Sequence, residues 1–367
     1  MHNAEIRVDL DAIRANVARL KAGTTAEVMA VVKADGYGHG MVPCARAALD
    51  GGATWIGATT LDEALALRAA GITAPVLAWL LTPGLPLADA VAADVDLSAA
   101  DQVRLAEIVA AARETGRCAR VHLKIDTGLG RGGAARADWP GLVEAAAIVA
   151  ADGGLDVVGV WSHLANSDVP DHPSIDAQVA AFTDALDVAA RLGVTPRYRH
   201  LANSGATLTR PDTHFDLVRP GIAVYGLSPV EGQRFGLRPA MSVRARVMLV
   251  KRLPAGQGIS YGHHYVTTSE TTVAVVPVGC AVGVPRAASG QGPVAVGGQT
   301  FRIAGRVCMD QIVLDVGDLP VRAGDEAVLF GGDGPHVDEW AAVCGTINYE
   351  IVARMGSNRM ARVYDGG

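Results

Sequence analysis

Residues 101–126 read DQVRLAEIVAAARETGRCARVHLKID, and this stretch contains one complete helix-to-strand unit. Its first part is an amphipathic segment rich in Ala and Leu that closes on Gly116, where a helix C-cap is expected. Its second part, 119–126, is a short apolar run typical of a buried strand. Helices and strands that alternate in this way are typical of a parallel sheet covered by helices.

The same alternation extends on both sides of this stretch, from residue 1 to about residue 230. Eight candidate strands can be counted, at 28–33, 53–59, 75–80, 94–99, 119–126, 155–163, 198–202 and 215–221. Eight such units predict a closed (β/α)8 barrel of the TIM type.

From about residue 236 the pattern changes to Val-rich alternation interrupted by Gly and Pro. This pattern predicts a separate, mainly antiparallel β domain. The sequence therefore indicates an α/β barrel over 1–235 followed by a C-terminal β domain over 236–367.

Composition narrows the possible partners of the chain. Half of the 367 residues are apolar, and the net charge of −6 comes from interspersed acids and bases. This pattern argues against a nucleic-acid or membrane-surface partner. The N-terminus lacks the apolar core of a signal peptide, so we expect a cytoplasmic location. Five cysteines without metal-type spacing predict no metal site, and we expect most of them to be buried thiols.

Polar residues follow several of the predicted barrel strands. In a (β/α)8 barrel the active site lies at the carboxyl ends of the strands. The residues found there are Lys33, Lys124, Asp126, Arg131, His163, Asn203, Ser204, Arg219 and Gly221. Their convergence on one end of the barrel predicts a catalytic site.

Lys33 ends an apolar run in AVVKADGYGHG, residues 30–40. A buried ammonium is unfavourable unless it is paired, neutralised or chemically consumed. The backbone N–H groups of Gly221 and Ile222, beside Ser204, predict a phosphate site. A strand-end lysine with a phosphate site suggests pyridoxal 5′-phosphate (PLP), which would be held at Lys33 as a Schiff base. Two alternatives remain from these residues alone: Lys33 marks the exit of the strand into solvent, or the barrel is of the aldolase type.

Over nearly its whole length the chain resembles the PLP-dependent alanine racemase family, which has a barrel followed by a β domain. The matching stretches are VDLDAIRAN, AVVKADGYGHG, HLKIDTGLGRGG, GVWSHLANSD, HLANSGA, LVRPGIAVYG, ISYGHHY, GRVCMDQ and INYEI. The resemblance implies a PLP-binding barrel and a cytoplasmic enzyme that interconverts L- and D-alanine, a cell-wall precursor.

The resemblance also implies a two-base mechanism. Lys33 matches the lysine that holds the cofactor and then acts as a base on one face of the substrate. Tyr261, from the β domain of the partner subunit, matches the base on the opposite face. Two bases on opposite faces are what racemisation requires, since one removes the α-proton and the other returns it. His163 matches a histidine that contacts this tyrosine, and Arg219 matches the arginine that faces the pyridine nitrogen.

Binding roles follow from the same resemblance. Arg131 matches a residue near the cofactor phenolate and the substrate carboxylate, and Met309 matches a residue whose backbone N–H meets that carboxylate across the dimer. Lys124 matches a lysine that is often carbamylated, although an ion pair with a nearby acid is the alternative. The residues implied at the cofactor phosphate are Tyr37, Ser204, Gly221, Ile222 and Tyr349. The resemblance thus implies a homodimer with composite active sites and a small amino acid as substrate.

One stretch departs from the family pattern. The family has a segment resembling GYADGYPR where this chain reads GCAVGVPR, at 279–286, so Cys280 and Val282 replace a tyrosine and an acid. Both changes open the inner substrate entrance, which predicts relaxed side-chain specificity unless Cys280 is an inert packing residue. The alternatives are a racemase of another amino acid in specialised metabolism, a decarboxylase of the same fold, or a non-catalytic PLP carrier. Arg219 argues against a decarboxylase, because decarboxylation profits from a strong electron sink and therefore from a carboxylate, not an arginine, at the pyridine nitrogen.

Overall fold

A computed structural model describes residues 3–355 and 360–366 of the chain. The chain divides into two units. The barrel unit comprises Ile13–Lys33 and Met41–Leu237, and the β unit comprises Met1–Ala12, Ala34–Gly40 and Arg238–Gly367. No helix within the described ranges is long and apolar enough to cross a membrane.

The barrel unit contains eight parallel strands in sequential order, and each pairs with the next one along the chain except the seventh. The eighth strand pairs with the first. Backbone hydrogen bonds from Asp216 N to Arg199 O (3.0 Å) and from Arg219 N to Ala202 O (2.9 Å) join the seventh to the eighth. The eight strands are Glu27–Val31, Trp55–Ala58, Val76–Ala78, Val95–Ala99, Ala119–Lys124, Leu155–Trp161, Tyr198–His200 and Leu217–Val218. The predicted barrel is therefore confirmed.

Helices alternate with these strands, as the sequence pattern predicts. The helix Gln102–Thr115 begins where the Asp101 side chain accepts a hydrogen bond from Arg104 N (2.7 Å). It ends at Gly116, whose φ of 64° lies in the left-handed region that favours glycine. The other helices are Leu10–Ala22, Met41–Asp50, Leu61–Ala69, Leu87–Ala92, Trp139–Ala151, Ser174–Arg191 and Ser204–Thr209.

The β unit contains a six-stranded sheet and two smaller ones. The six strands, in spatial order, are Gln299–Arg302, Pro293–Val296, Glu326–Phe330, Met241–Arg246, Ala4–Asp9 and Ala361–Asp365. All pairs are antiparallel except Ala4–Asp9 with Ala361–Asp365. The smaller sheets are Leu249–Leu253 with Thr271–Val276 and Ile312–Gly317, and Gly258–Ile259 with Tyr265–Val266. Two helices, Val337–Cys344 and Asn348–Arg354, complete the unit.

The N-terminal strand differs from the sequence prediction, which assigned all of 1–235 to the barrel. Ala4–Asp9 lies between Met241–Arg246 and Ala361–Asp365 in the sheet of the β unit. Pairing with strands more than 200 residues away leaves no local signal in the sequence, because only the partners decide which sheet a strand joins. The boundary between residues 235 and 236 stays a prediction.

Candidate active site

Lys33 follows the first barrel strand directly. Burial lowers the pKa of its ammonium, and the positive charge of Arg131 lowers it further, while Glu63 acts in the opposite direction. A lysine with a lowered pKa is neutral more often at physiological pH, and the neutral amine is the form that acts as a nucleophile or a base.

The chain makes a left-handed turn immediately after Lys33. The φ angles of residues 34–37 are 51°, 52°, 62° and 52°, although only one of these residues is glycine. Within the β unit, Arg362 holds this turn through an ion pair with Asp35 (2.7 Å) and a hydrogen bond to Gly38 O (3.1 Å). Such a conformation costs roughly 1–2 kcal/mol for each non-glycine residue, and strain of this kind is concentrated at functional sites.

Arg219 lies at the end of the eighth strand and is only 4% exposed. Its guanidinium donates to Ser162 O (2.7 Å) and Leu201 O (3.2 Å). It also lies 3.1 Å from His200 Nδ1 and 3.4 Å from His163 Nδ1. Burial lowers the pKa of Arg219 to about 9, so the group keeps its charge at neutral pH. These partners fix the orientation of the guanidinium.

Two cationic side chains of the site lie against the indole ring of Trp161. Lys124 Nζ lies 4.3 Å and Arg219 Cζ 4.8 Å from the ring centroid. A hydrogen bond from Trp161 Nε1 to Ser98 Oγ (2.9 Å) anchors the ring. An aromatic face attracts cations, so the indole partly compensates for the burial of these charges.

Lys124 and Asp126 lie at the end of the fifth strand, and the pKa values of both are lowered, for different reasons. Burial, Arg219 and Arg131 lower the pKa of Lys124 to about 8, against the influence of Asp126. Burial acts to raise the pKa of Asp126, but four backbone N–H groups outweigh it and leave the pKa lowered. The donors are the N–H groups of Gly128, Leu129, Gly130 and Arg131, at 2.9–3.2 Å. Asp126 thus orders the loop that carries Arg131.

His163 is surrounded by positive charge. Its pKa lies well below the usual range because it is buried, and Arg219, Arg131, Lys124 and Lys33 all lower it further. The imidazole is therefore neutral. Four cationic side chains thus act on one imidazole, and they range from the buried Arg219 through the half-buried Lys33 and Lys124 to the exposed Arg131. With Asp126 and Glu63 as the acids that act on them, they form a site that favours a strongly anionic ligand.

A cradle of backbone N–H groups lies beside Ser204 at the ends of the seventh and eighth strands. Ser204 Oγ accepts hydrogen bonds from Gly221 N (2.8 Å) and Ala223 N (3.3 Å), and Ile222 lies between these two donors. The Asn203 side chain caps the helix Ser204–Thr209. Ser204, Gly221 and Ile222 thus lie together, with two of the N–H groups directed at the Ser204 hydroxyl. A hydroxyl among backbone N–H groups suits a phosphate, and the phosphate role of these residues stays a prediction.

Two predicted phosphate contacts lie in the β unit. The Tyr37 ring is buried, and its centroid lies 6.1 Å from that of Tyr349, with a tilt of 52° between the planes. The pair is therefore preformed within this unit.

The other predicted residues of the β unit form what we call the loop cluster, residues 260–261, 279–282 and 306–309. Backbone hydrogen bonds join Cys280 N to Cys308 O (3.0 Å) and Ala281 N to Met309 O (2.9 Å). A Cβ on Gly279 would lie 2.4 Å from the Cys308 and Met309 carbonyl oxygens, so only glycine permits this approach. Tyr261 is 67% and Met309 64% exposed.

Sequence reasoning missed three polar residues inside the barrel. Asp96, His122 and His200 lie on the fourth, fifth and seventh strands, and none of them is exposed to solvent. A signal was present, because each lies next to apolar residues within a predicted buried strand, where titratable side chains are uncommon. No group of three or more His, Cys, Asp or Glu side chains suited to a metal ion occurs in the described ranges.

The fold and site define a class of protein: a barrel enzyme whose half-buried strand-end lysine and surrounding cationic side chains suit an anionic, phosphate-bearing cofactor. The family model described as alanine racemase, N-terminal domain, matches residues 8–229, and that described as alanine racemase, C-terminal domain, matches 240–364. The chain belongs to the alanine racemase family, whose members are PLP-dependent isomerases.

Individual relatives are similar over their full length. The chain is 64% identical to an alanine racemase of Salinispora arenicola, covering 100% of this chain and 99% of that protein. It is similar to the crystal structure of alanine racemase from D-cycloserine producing Streptomyces lavendulae, with 53% identity, a TM-score of 0.98, and coverage of 100% and 98%. The alanine racemase from Bacillus anthracis with bound L-Ala-P is 36% identical with a TM-score of 0.91, and the match covers 100% and 95% of the two chains.

Proposed function

We propose that this protein interconverts L- and D-alanine by a two-base mechanism, with Lys33 as one base and the partner subunit's Tyr261 as the other. The observation that carries the proposal is the half-buried Lys33, with its lowered pKa, among the cationic side chains at the carboxyl ends of the barrel strands, in a chain of this family. This region, which comprises Lys33, Lys124, Arg131, His163 and Arg219, is called the barrel mouth below.

The residues at the barrel mouth suit PLP. Lys33 would hold it covalently, and Ser204 with the N–H groups of Gly221 and Ile222 would bind its phosphate. Bound PLP accepts the electron pair left on the substrate Cα when the proton leaves. Arg219 would donate a hydrogen bond to the pyridine nitrogen. Because a guanidinium does not give up its proton, that nitrogen would stay unprotonated, which limits side reactions and disfavours a decarboxylase.

Proton movement requires one group on each face of the substrate Cα. The Lys33 amine would remove or return the proton on one face, and the Tyr261 hydroxyl would do so on the other. His163 Nδ1 faces the Arg219 guanidinium at 3.4 Å, so a neutral imidazole carries its proton on Nε2. The Nε2–H group would donate to the phenol oxygen and stabilise its charged form.

Substrate binding would use Arg131 and the Met309 backbone N–H at the carboxylate. The pKa of Lys124, about 8, leaves a fraction of neutral amine that can react with carbon dioxide. The resulting carbamate would hold Arg131 by its negative charge, which supports carbamylation over an ion pair with a nearby acid.

The exposed Tyr261 and Met309 support a homodimer with composite sites, since large apolar side chains exposed together mark interaction surfaces. Tyr37 and Tyr349 would contribute further phosphate contacts. A cytoplasmic location and the lack of a nucleic-acid or membrane partner stay predictions.

A second candidate is a racemase with broader or different side-chain specificity. It is favoured by Cys280 and Val282, which stand where the resemblance implies a tyrosine and an acid. Cys280 is exposed and therefore not a packed core residue.

The proposal is tested by incubating the purified protein with L-alanine and with a panel of other L-amino acids, followed by chiral chromatography. We expect D-alanine to form fastest. Release of the corresponding amine would instead indicate a decarboxylase, and no turnover of any amino acid would overturn the proposal.

The attachment residue is tested by borohydride reduction and peptide mapping. The chain has four lysines, at positions 21, 33, 124 and 251, so the map is unambiguous. We expect the pyridoxyl label on Lys33, unchanged in a Lys251→Ala control and lost in Lys33→Ala. A label on any other lysine contradicts the assignment.

A further inference from the structure

A chain of hydrogen bonds runs through the interior of the barrel to Arg219. Arg219 NH1 lies 3.1 Å from His200 Nδ1, and His200 Nε2 lies 2.9 Å from His122 Nδ1. His122 Nε2 lies 3.1 Å from Asp96 Oδ2. The four residues, all buried and on four different strands or strand ends, are called the buried relay below.

The two ends of the buried relay determine where its protons lie. A guanidinium can only donate hydrogen bonds, and an ionised carboxylate can only accept them. Burial acts to raise the pKa of Asp96, but His122 and Arg120 outweigh it and leave the pKa lowered, so the carboxylate is ionised. Arg120 also anchors that carboxylate, with Nε 2.7 Å from Oδ1.

With a donor at the Arg219 end and an acceptor at the Asp96 end, only one placement of the protons on the two neutral imidazoles forms every hydrogen bond. His122 donates from Nε2 to Asp96 and accepts at Nδ1, so His200 donates from Nε2 and accepts from Arg219 at Nδ1. If His200 carried its proton on Nδ1, a donor would face a donor and the contact with Arg219 would be lost. The tautomer of His200 is thus tied to a carboxylate two residues away along the relay.

The rings of the buried relay are held in place by aromatic neighbours. His200 stacks on Trp161 with an angle of 1° and a centroid distance of 5.6 Å. Trp55 contacts the His122 ring edge-on, at 80° and 5.4 Å. A Cβ on Gly159 would lie 2.3 Å from His122 Nδ1, so this glycine makes the room that the ring needs.

We infer that Asp96 and His122 are positioning residues of the reaction, which fix His200 in its Nε2–H tautomer so that Nδ1 holds the Arg219 guanidinium at the barrel mouth. The inference rests on the proposed function, in which Arg219 faces the cofactor. It assigns a catalytic consequence to residues that do not themselves reach the site.

The tautomers are measured directly by NMR of the purified protein labelled with ¹⁵N-histidine. The chain has ten histidines, and His122→Gln and His200→Gln variants assign the two signals. We expect both rings to be neutral with the proton on Nε2. A proton on Nδ1 of His200, or a cationic His122 or His200, would overturn the inference, whatever the enzymatic activity.

Kinetics separate a positioning role from a purely structural one. His122→Leu removes the acceptor for His200 and should lower kcat at least about tenfold with KM changed less than about threefold, because small displacements of catalytic groups have large effects. His122→Gln retains a donor toward Asp96 and an acceptor toward His200, and should recover most of kcat. Gly159→Ala displaces the ring without removing a polar atom and should also lower kcat.

Thr213→Val is the matched control, because it removes a buried hydrogen bond, from Thr213 Oγ1 to Arg210 O, outside the relay. The comparison applies if the wild-type protein racemises alanine. Relay variants with the same kcat as Thr213→Val would then show that the relay has only a structural role, which would overturn the inference. If wild-type protein does not turn over alanine, the proposed function fails, and the tautomer measurement still decides whether the relay is arranged as inferred. If His122→Leu does not fold, Gly159→Ala and Asp96→Asn provide the kinetic comparison.

Discussion

The barrel mouth and the loop cluster are built in opposite ways. At the barrel mouth, Arg219 is buried and hydrogen-bonded to carbonyl oxygens and imidazoles of neighbouring strands. In the loop cluster, Tyr261 and Met309 are about two-thirds exposed, while hydrogen bonds of the neighbouring backbone and of the Ser260 hydroxyl to Arg306 O (2.8 Å) hold the loops together. The side chains of the first region are ordered by contacts within one chain, whereas two large side chains of the second region are exposed.

The two regions also differ in what destabilises them. The barrel mouth concentrates positive charges whose burial lowers the pKa values of Lys33, Lys124 and Arg219, and an anionic ligand would relieve this cost. The loop cluster instead contains backbone strain, with φ of 61° at Ser260. The comparison teaches that this chain concentrates positive charge in one region and leaves large side chains exposed in the other, which is the arrangement that the proposed function uses.

The strongest test of the comparison mixes two inactive proteins. Lys33→Ala and Tyr261→Phe should each lower activity by at least about 10³-fold, since each removes one of two essential bases. If the loop cluster of one subunit completes the barrel mouth of the other, a mixed dimer contains one intact site. Random exchange of subunits should then restore about a quarter of wild-type activity.

Subunit exchange is verified with differently tagged proteins that are purified together. Exchanged dimers without activity would show that the loop cluster does not serve the partner's barrel. Mixing Lys33→Ala with Lys33→Arg is the control, and it should restore no activity.

A second test asks whether the loop cluster sets the substrate side chain. Cys280→Tyr with Val282→Asp should sharpen the preference for alanine over serine and 2-aminobutyrate by about tenfold to a hundredfold, because the entrance becomes narrower. The measurement compares kcat/KM for the three amino acids. An unchanged ranking, or strict alanine specificity in the wild-type protein, would mean that this stretch does not control specificity.

The smallest expected effect is on the free energy of unfolding, through the loop at the barrel mouth that carries Arg131. Asp126→Asn replaces a charged acceptor of four backbone N–H groups and should lower the free energy of unfolding by about 1 kcal/mol at pH 7. Because the folded-state pKa of Asp126 is lowered, its contribution is complete above the unfolded value of 3.8 and disappears as the pH falls through the folded-state pKa. Wild-type and variant stabilities should therefore converge in acid.

Chemical unfolding at pH 7 and at pH 3 measures this difference, with the exposed Asp187→Asn as the matched control. An Asp126→Asn protein as stable as the control at pH 7 would indicate that the loop carrying Arg131 is not ordered by this carboxylate.

Much of the fold was predictable because its signals are local. The spacing of apolar residues predicts all eight barrel strands, and Gly116 marks a helix end that the structure confirms. The observed strands are shorter than predicted, as at Leu217–Val218 within 215–221, because a strand ends where its partner's hydrogen bonds end. The place of Ala4–Asp9 was not predictable, since its two neighbours lie beyond residue 240 of the chain.

The sequence by itself determined which residue types stand at the strand ends, because the lysine, the arginine and the Ser–Gly pair there belong to short motifs. Only the tertiary structure decided which other groups act on them. Asp96, His122 and His200 lie on strands up to about a hundred residues apart in the chain, yet they form one line of hydrogen bonds to Arg219. Closure of the barrel brings these strands side by side, and the directions of donors and acceptors then fix their protons, which no local sequence pattern encodes.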